Sequence, residues 1–354
     1  LENFAVIDQG QPTNMFLEVS EAVAVAARQI DANGLLMRDA GARLRKLSPP
    51  FAATLARGSS DHAASFAKVL FELNCGMPTL SHSPSVGALF NATSRHFAGV
   101  PLFAISQSGR SPDLIAAALE VQDRSGLVIA MVNDTSSPLA SLADITIPLH
   151  AGLEKSVAAT KTFIAALVAL VHLTAEWSGN ATLLAALSNL NASLARAARH
   201  DWTSAIPALS KTHGLLVLGR GYTLPLAGEA ALKLKETAGL HAEAFSLAEV
   251  AHGPMTLIGV GDPVLVFGPI DEARLGLKAL IADFVARGAI VIGTGHPDDL
   301  RDVKAVLPSL KDVHPAVAAI ASALAFYRLS EALARARGRD PDSPPFLSKV
   351  TSTL

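Results

Sequence analysis

Glu229, Lys233 and Glu236 are the residues of this chain whose types and spacing most directly suggest chemistry. They stand at i, i+4 and i+7 of a run rich in Ala and Leu, so a helix there carries all three on one face and turns Lys235 away. Gly239 supplies a stop for that helix. His241, Glu243, Glu249 and His252 follow, the last in a His-Gly-Pro turn. A carboxylate, an imidazole and an ammonium gathered together suit proton transfer on a carbonyl or imine substrate. An exposed helix laced by Glu–Lys pairs would show the same spacing. The elements around the stretch have to decide between the two.

A second set of residues suits anion binding. Apolar runs at 51–56 and 101–105 end in Arg57-Gly58-Ser59-Ser60 and Ser106-Gln107-Ser108-Gly109, and each feeds a helical stretch, 61–73 and 113–124. Further strands are expected at 127–132 and 145–149, and two helices within 15–47, broken at Asn33-Gly34. Strands alternating with helices predict a layered α/β fold with a parallel sheet. Ligands of such sheets bind beyond the carboxyl ends of the strands, where small Ser and Gly residues let amides and hydroxyls converge on an oxyanion. Ser-rich turns also serve as plain helix caps.

The second half of the chain repeats the first. Leu55-Ala56-Arg57-Gly58 recurs as Leu218-Gly219-Arg220-Gly221, and Pro101-Leu102-Phe103-Ala104 has its counterpart in Pro263-Val264-Leu265-Val266. Arg124-Ser125-Gly126-Leu127-Val128-Ile129 matches Arg287-Gly288-Ala289-Ile290-Val291-Ile292. The offset stays near roughly 163 residues, the mark of a tandem duplication of one α/β domain. The expected division is a helical segment 1–33, a first domain 34–180, a second 181–337 and a tail 338–354 without a core pattern. The copies differ at their strand ends. The first keeps Ser59, Ser60, Ser106, Ser108 and Ser111, whereas the second has Tyr222 and Thr223 at one end and an apolar Phe267-Gly268-Pro269-Ile270 at the other. The first is therefore expected to bind an oxyanion, phosphate foremost, and the second is not.

Half of the 354 residues are apolar and 17% are charged, the composition of a compact globular chain without long disordered tails. A net charge of −2 and a pI near 6.6 give no basic footprint for nucleic acid. The single cysteine, Cys75, excludes a disulfide framework and a CxxC metal site, and its neighbours Leu73, Gly76 and Met77 read as core. Residues 1–3 show no signal segment, and the apolar stretch 163–173 is too short to cross a bilayer. A soluble, cytoplasmic protein with neither nucleic acid nor membrane as partner is expected.

Together these motifs resemble the sugar-isomerase (SIS) domain family, and within it the isomerase half of the glucosamine-6-phosphate synthases. The resemblance runs over residues 30–354 and rests on Gly58-Ser59-Ser60, Ser106-Gln107-Ser108-Gly109, Val157-Ala158-Ala159-Thr160-Lys161 and Leu232-Lys233-Leu234-Lys235-Glu236. His241-Ala242-Glu243-Ala244, His252-Gly253-Pro254 and Leu347-Ser348-Lys349-Val350 complete it. It implies that Ser60, Ser106, Gln107, Ser108 and Ser111 hold a sugar phosphate, with Ser59 and Val157 against the sugar. Glu236 matches the carboxylate that moves a proton between C1 and C2, and Lys233 a residue that assists at the sugar hydroxyls. His252 matches a ring-opening histidine supplied by the neighbouring subunit of a homodimer. Lys349 matches a lysine that forms an imine with the open-chain ketose.

No metal or organic cofactor is implied, since side chains alone can move the proton. Two positions depart from the pattern. Arg110 stands where synthases carry glutamate, adding positive charge beside the expected phosphate, and Ala159 stands where serine is common. Both bear on the identity of the sugar rather than on the fold. A synthase begins with a glutaminase domain and its N-terminal cysteine, and the 354 residues contain neither. The expected activity is therefore deamination of an amino-sugar phosphate, with glucosamine 6-phosphate and water giving fructose 6-phosphate and ammonia. A fructosamine-6-phosphate deglycase, a plain aldose–ketose phosphate isomerase and a non-catalytic sugar-phosphate sensor are the alternatives.

Overall fold

The computed structural model describes residues 11–90 and 96–349. Residues 1–3 and Val350 of the terminal motif lie outside that range. Two compact units form. The N-terminal repeat comprises Ala22–Glu154, Lys161–Asn189 and the chain from Ser348, and the C-terminal repeat comprises the chain up to Glu21, Lys155–Thr160 and Leu190–Leu347.

In chain order the first elements are α1 (Asn14–Leu47), β1 (Ala52–Leu55), α2 (Ser59–Cys75), β2 (Thr79–Ser81), α3 (Pro84–Phe90) and β3 (Pro101–Ser106). They are followed by α4 (Pro112–Asp123), β4 (Leu127–Val132), α5 (Pro138–Leu142), β5 (Ile145–Pro148), α6 (Lys161–Ser178) and α7 (Ala181–Ser188). The five strands make one parallel sheet in the order β2-β1-β3-β4-β5. Helices cover both faces, so β1, β3 and β4 are buried along their whole length and read as continuous apolar runs. Phe71 of α2, Phe103 of β3 and Trp177 of α6 pack as an aromatic cluster with centroids 4.8–6.1 Å apart.

The expected break at Asn33-Gly34 does not occur, because α1 is one helix of 34 residues. A glycine inside a helix costs about 1 kcal/mol, and tertiary hydrogen bonds offset it here. The Asn33 amide donates to the Pro148 carbonyl at 2.8 Å and its oxygen meets His150 Nε2 at 3.2 Å, while Gln29 donates to the carbonyls of Leu149 and Ala165. Cys75 also departs from expectation. It is half-buried at the end of α2 beside an exposed Leu73, and burial pushes its thiol up to about 12, which makes it unreactive at neutral pH.

The C-terminal repeat contains α8 (Leu190–Ala197), α9 (Ile206–Leu209), β6 (Gly214–Gly219), α10 (Leu224–Ala238) and β7 (His241–Ser246). It continues with β8 (Pro263–Phe267), α11 (Leu277–Ala286), β9 (Ile290–Thr294), β10 (Ala305–Val306) and α12 (Pro315–Ala336). Its parallel sheet runs β7-β6-β8-β9-β10, strand for strand the order of the first. The duplication read from the sequence is thus a duplication of topology. β7 is a strand where the sequence pattern predicts no element: Ala242 is buried between exposed His241 and Glu243, the alternation of an edge strand with a charged outer face. α12 is long and apolar enough to cross a membrane, yet 89% of its most apolar window is buried within the fold, so it is a core helix.

Residues 339–349 of the tail form no helix or strand but are anchored. Asp342 accepts the backbone N–H groups of Asn14 at 2.6 Å and Met15 at 2.7 Å, satisfying two open donors at the start of α1.

A buried histidine gives the N-terminal repeat an acid-labile point. His172 on α6 is 4% exposed, and burial, with Arg38 adding to it, holds its imidazole down to about 4. Below about pH 6.5 the unfolded chain binds a proton that the folded chain refuses, so stability is lost as pH falls from there to about 4, by ~3 kcal/mol in all. The melting temperature of His172→Leu should therefore gain on that of the wild type progressively as the pH is lowered through this window. Parallel melting-temperature profiles would show that His172 does not titrate there.

Candidate active site

The strand order places β2 on one side of β1 and β3 on the other, so the carboxyl ends of β1 and β3 form the switch point of the N-terminal sheet. Both expected anion loops sit there. Ser59 and Ser60 open α2, while Ser106 ends β3 and Ser111 precedes Pro112 at the start of α4. Two helix N-termini, each the positive end of a dipole, thus begin at one edge. Ser59, Ser60, Gln107, Ser108 and Ser111 are half-buried. Ser106 is 6% exposed, and its hydroxyl accepts the Gly109 amide at 3.0 Å, which fixes the loop. Gly109 is required on two counts. Its φ of +61° suits glycine, and a Cβ there would lie 2.2 Å from Ser137 Oγ.

Arg57 ties the two loops together. Its guanidinium donates from Nε at 3.0 Å and from Nη2 at 2.8 Å to Asp113, a carboxylate buried in the first turn of α4. Arg110 does not add a free charge, since it pairs with Asp134 beyond β4 at 2.7 Å. The Ser136 hydroxyl, then Arg110, pull the Asp134 carboxyl down to about 2. The corresponding point of the C-terminal sheet is closed. The Thr223 hydroxyl donates to the Phe267 carbonyl at 2.7 Å and accepts the Arg220 amide at 3.0 Å, so that hydroxyl is already engaged.

The expected triad lies on α10 of the C-terminal repeat. The helix ends at Gly239, whose φ of +61° is left-handed. Lys233 Nζ pairs with Glu236 Oε2 and stands 3.7 Å from Glu229 Oε1, with Lys233 and Glu229 side chains 1% and 2% exposed. Lys235 is exposed. The ladder of surface ion pairs is therefore excluded, because this cluster is inside the protein. Glu236 is the member that reaches outward, at 20% exposure. From within, Tyr327 of α12 donates to Glu229 Oε1 at 2.8 Å, and the Thr237 hydroxyl links the Lys233 carbonyl to Ser330. A buried ammonium held between two carboxylates has a fixed position, and its outer carboxylate can exchange a proton with a bound molecule.

The other expected residues are placed singly. His252 is exposed at the end of a 3₁₀ turn, Glu249–His252, and makes no hydrogen bond to the α10 cluster among the described residues. Val157 is half-buried, with its amide donating to the Asp342 carbonyl at 3.1 Å. Lys349 belongs to the N-terminal repeat, where its ammonium donates to Glu154 at 3.2 Å. A cleft of about 410 Å³ in the C-terminal repeat lies at the amino ends of β6, β7 and β8, lined by His213, His241, Glu243 and Asp262, so His241 and Glu243 sit there, apart from Glu229, Lys233, Glu236, His252, Val157 and Lys349, none of which lines it. Sequence reasoning missed Glu154, Tyr327 and the Arg57–Asp113 pair. Tyr327, Ser330 and Glu331 within the mostly apolar α12 were an available signal, since buried polar atoms need a partner.

A model of the SIS domain matches residues 52–175 and 208–299. The chain belongs to the SIS domain family, a family of phosphosugar isomerases and related enzymes. It is 31% identical over 354 residues to the isomerizing glutamine–fructose-6-phosphate aminotransferase of Thermococcus kodakarensis, covering 96% of this chain and 58% of the relative. The chain spans about half the length of the curated relatives it matches. Among solved structures, a provisionally assigned phosphosugar isomerase from Silicibacter pomeroyi DSS-3 is 39% identical with a TM-score of 0.87, over 94% of this chain and 100% of that one. A glucosamine-6-phosphate deaminase from Thermotoga maritima shares the fold at 19% identity, with a TM-score of 0.76 over 96% of this chain and 100% of that one.

Proposed function

We propose that this protein is a glucosamine-6-phosphate deaminase. The observation that carries the reading is the buried Glu229–Lys233–Glu236 cluster with Glu236 as its outward member. Ser60, Ser106, Gln107, Ser108 and Ser111 hold the phosphate, where two helix N-termini favour an anion, and Ser59 and Val157 bound the sugar. His252, supplied by the second subunit of a homodimer, moves a proton between the anomeric hydroxyl and the ring oxygen, which opens the ring. Glu236 takes the proton from C2 of the open-chain aldehyde, giving an enolamine across C1 and C2, and returns it to C1. Lys233 stabilises the oxygen on which charge gathers. The C2 imine so formed takes up water and loses ammonia, leaving fructose 6-phosphate. A deaminase of the same fold and extent supports this direction.

The test supplies purified protein with glucosamine 6-phosphate and measures ammonia and fructose 6-phosphate together. Equal amounts of the two are expected. Amine release from fructosamine 6-phosphates instead would make the protein a deglycase. Isomerisation of sugar phosphates without nitrogen release would make it a plain isomerase, and binding without turnover a sensor.

A further inference from the structure

The structure assigns Glu154 a part in the chemistry of Lys349, an inference that rests on the reading of Lys349 as the imine-forming lysine. The Glu154 side chain is wholly buried, at 0% exposure. Donors that converge on its carboxylate include the Thr162 amide on Oε1 at 3.2 Å, the Thr162 hydroxyl on Oε2 at 2.6 Å and the Lys349 ammonium on Oε2 at 3.2 Å. Thr162 is the second residue of α6, so the first turn of that helix fixes the carboxylate against its positive end. The cation comes from 195 residues further along the chain.

The pair is seated on the edge that carries the anion loops. Glu154 follows β5, and the segment before it is tied to the end of β4, with the Ala151 amide on Asn133 Oδ1 at 2.9 Å and Asn133 Nδ2 on the Gly152 carbonyl at 2.8 Å. All five strands are parallel, so this is the carboxyl edge, where Ser59, Ser60 and the loop after Ser106 also sit. β5 lies two strands from β3, about 10 Å at ordinary strand spacing. That is within the span of one hexose phosphate.

A lysine attacks a carbonyl only as the free amine, whereas an ammonium paired with a carboxylate is inert. The partner that holds the proton is also the group that can remove it. Glu154 takes one proton from the Lys349 ammonium, and the amine lone pair forms a bond to C2 of the open-chain ketose as the C=O π bond breaks. One N–H proton moves to that oxygen, giving a carbinolamine. Glu154 then returns its proton to the hydroxyl, the C–O bond breaks and water leaves. The product is an iminium facing a restored carboxylate, and the reverse sequence hydrolyses it.

The test is reductive trapping. Wild-type protein incubated with fructose 6-phosphate and sodium cyanoborohydride is expected to carry one sugar on Lys349, read by peptide mass spectrometry. Glu154→Gln should be labelled about 100-fold more slowly at pH 7, with the rate recovering as the pH is raised. Glu154→Asp should keep much of the near-neutral rate. Labelling of Glu154→Gln at the wild-type rate with an unchanged pH profile would overturn the proposal and leave the role of Lys349 standing. No label on the wild type would overturn both. Thr162→Val separates damage to α6 from loss of the proton partner, since it keeps the carboxylate. It should retain the wild-type pH profile, and a profile like that of Glu154→Gln would count against the proposal.

Discussion

Glu236→Gln is expected to bind glucosamine 6-phosphate nearly as well as the wild type and to turn it over at least about 100-fold more slowly. The amide has the shape of the carboxylate but cannot accept the C2 proton, so the loss belongs in kcat and not in KM. The substitution is clean because Lys233 keeps Glu229 at 3.7 Å, itself held by Tyr327, and no buried charge is stranded. Thermal stability should change little. Lys233→Met gives the contrast, since it leaves two carboxylates facing each other in a buried place and should destabilise the fold by several kcal/mol. A near-normal kcat in Glu236→Gln would remove Glu236 from the role of base.

The second large effect concerns assembly. His252 is exposed in the single chain, whereas a histidine acting on the sugar must be covered when substrate is bound. The proposed homodimer reconciles the two by supplying His252 in trans, and a twofold arrangement makes the consequence countable. His252→Ala and Glu236→Gln proteins, each nearly inactive, should regain activity when mixed under conditions that exchange subunits. In a mixed dimer one site carries both lesions and the other neither, so recovery approaches about half per mixed dimer. With His252 acting in its own subunit every site keeps one lesion, and the mixture stays inactive. Demonstrated exchange without recovery would therefore refute the trans arrangement.

Much of this could be read from local sequence. The parallel α/β class, the stop at Gly239 and the common face of Glu229, Lys233 and Glu236 follow from periodicity and spacing, which act within a few turns of chain, and the duplication follows from the recurrence of such local motifs. So did the two serine loops, because a short apolar strand followed by small residues and a helix is a local signal. Local rules failed where distant partners decided the outcome. Asn33-Gly34 looked like a break, and carbonyl and imidazole groups more than a hundred residues away hold it helical. The edge strand at His241 lacked the β-branched residues that mark strands, and the backbone of β6 pairs it regardless.

Burial was the quantity that spacing could not supply. An exposed and a buried Glu–Lys–Glu face have the same sequence signature, and only the packing of α10 against α12, with Tyr327 reaching Glu229, separates a solvated ladder from a buried cluster of fixed geometry. The same holds for Arg110, which read as spare positive charge until Asp134 was found opposite it. Glu154 carried no local signal at all. Its meaning depends on Thr162 at a helix start and on a lysine in the tail, contacts that exist only once the chain has closed on itself.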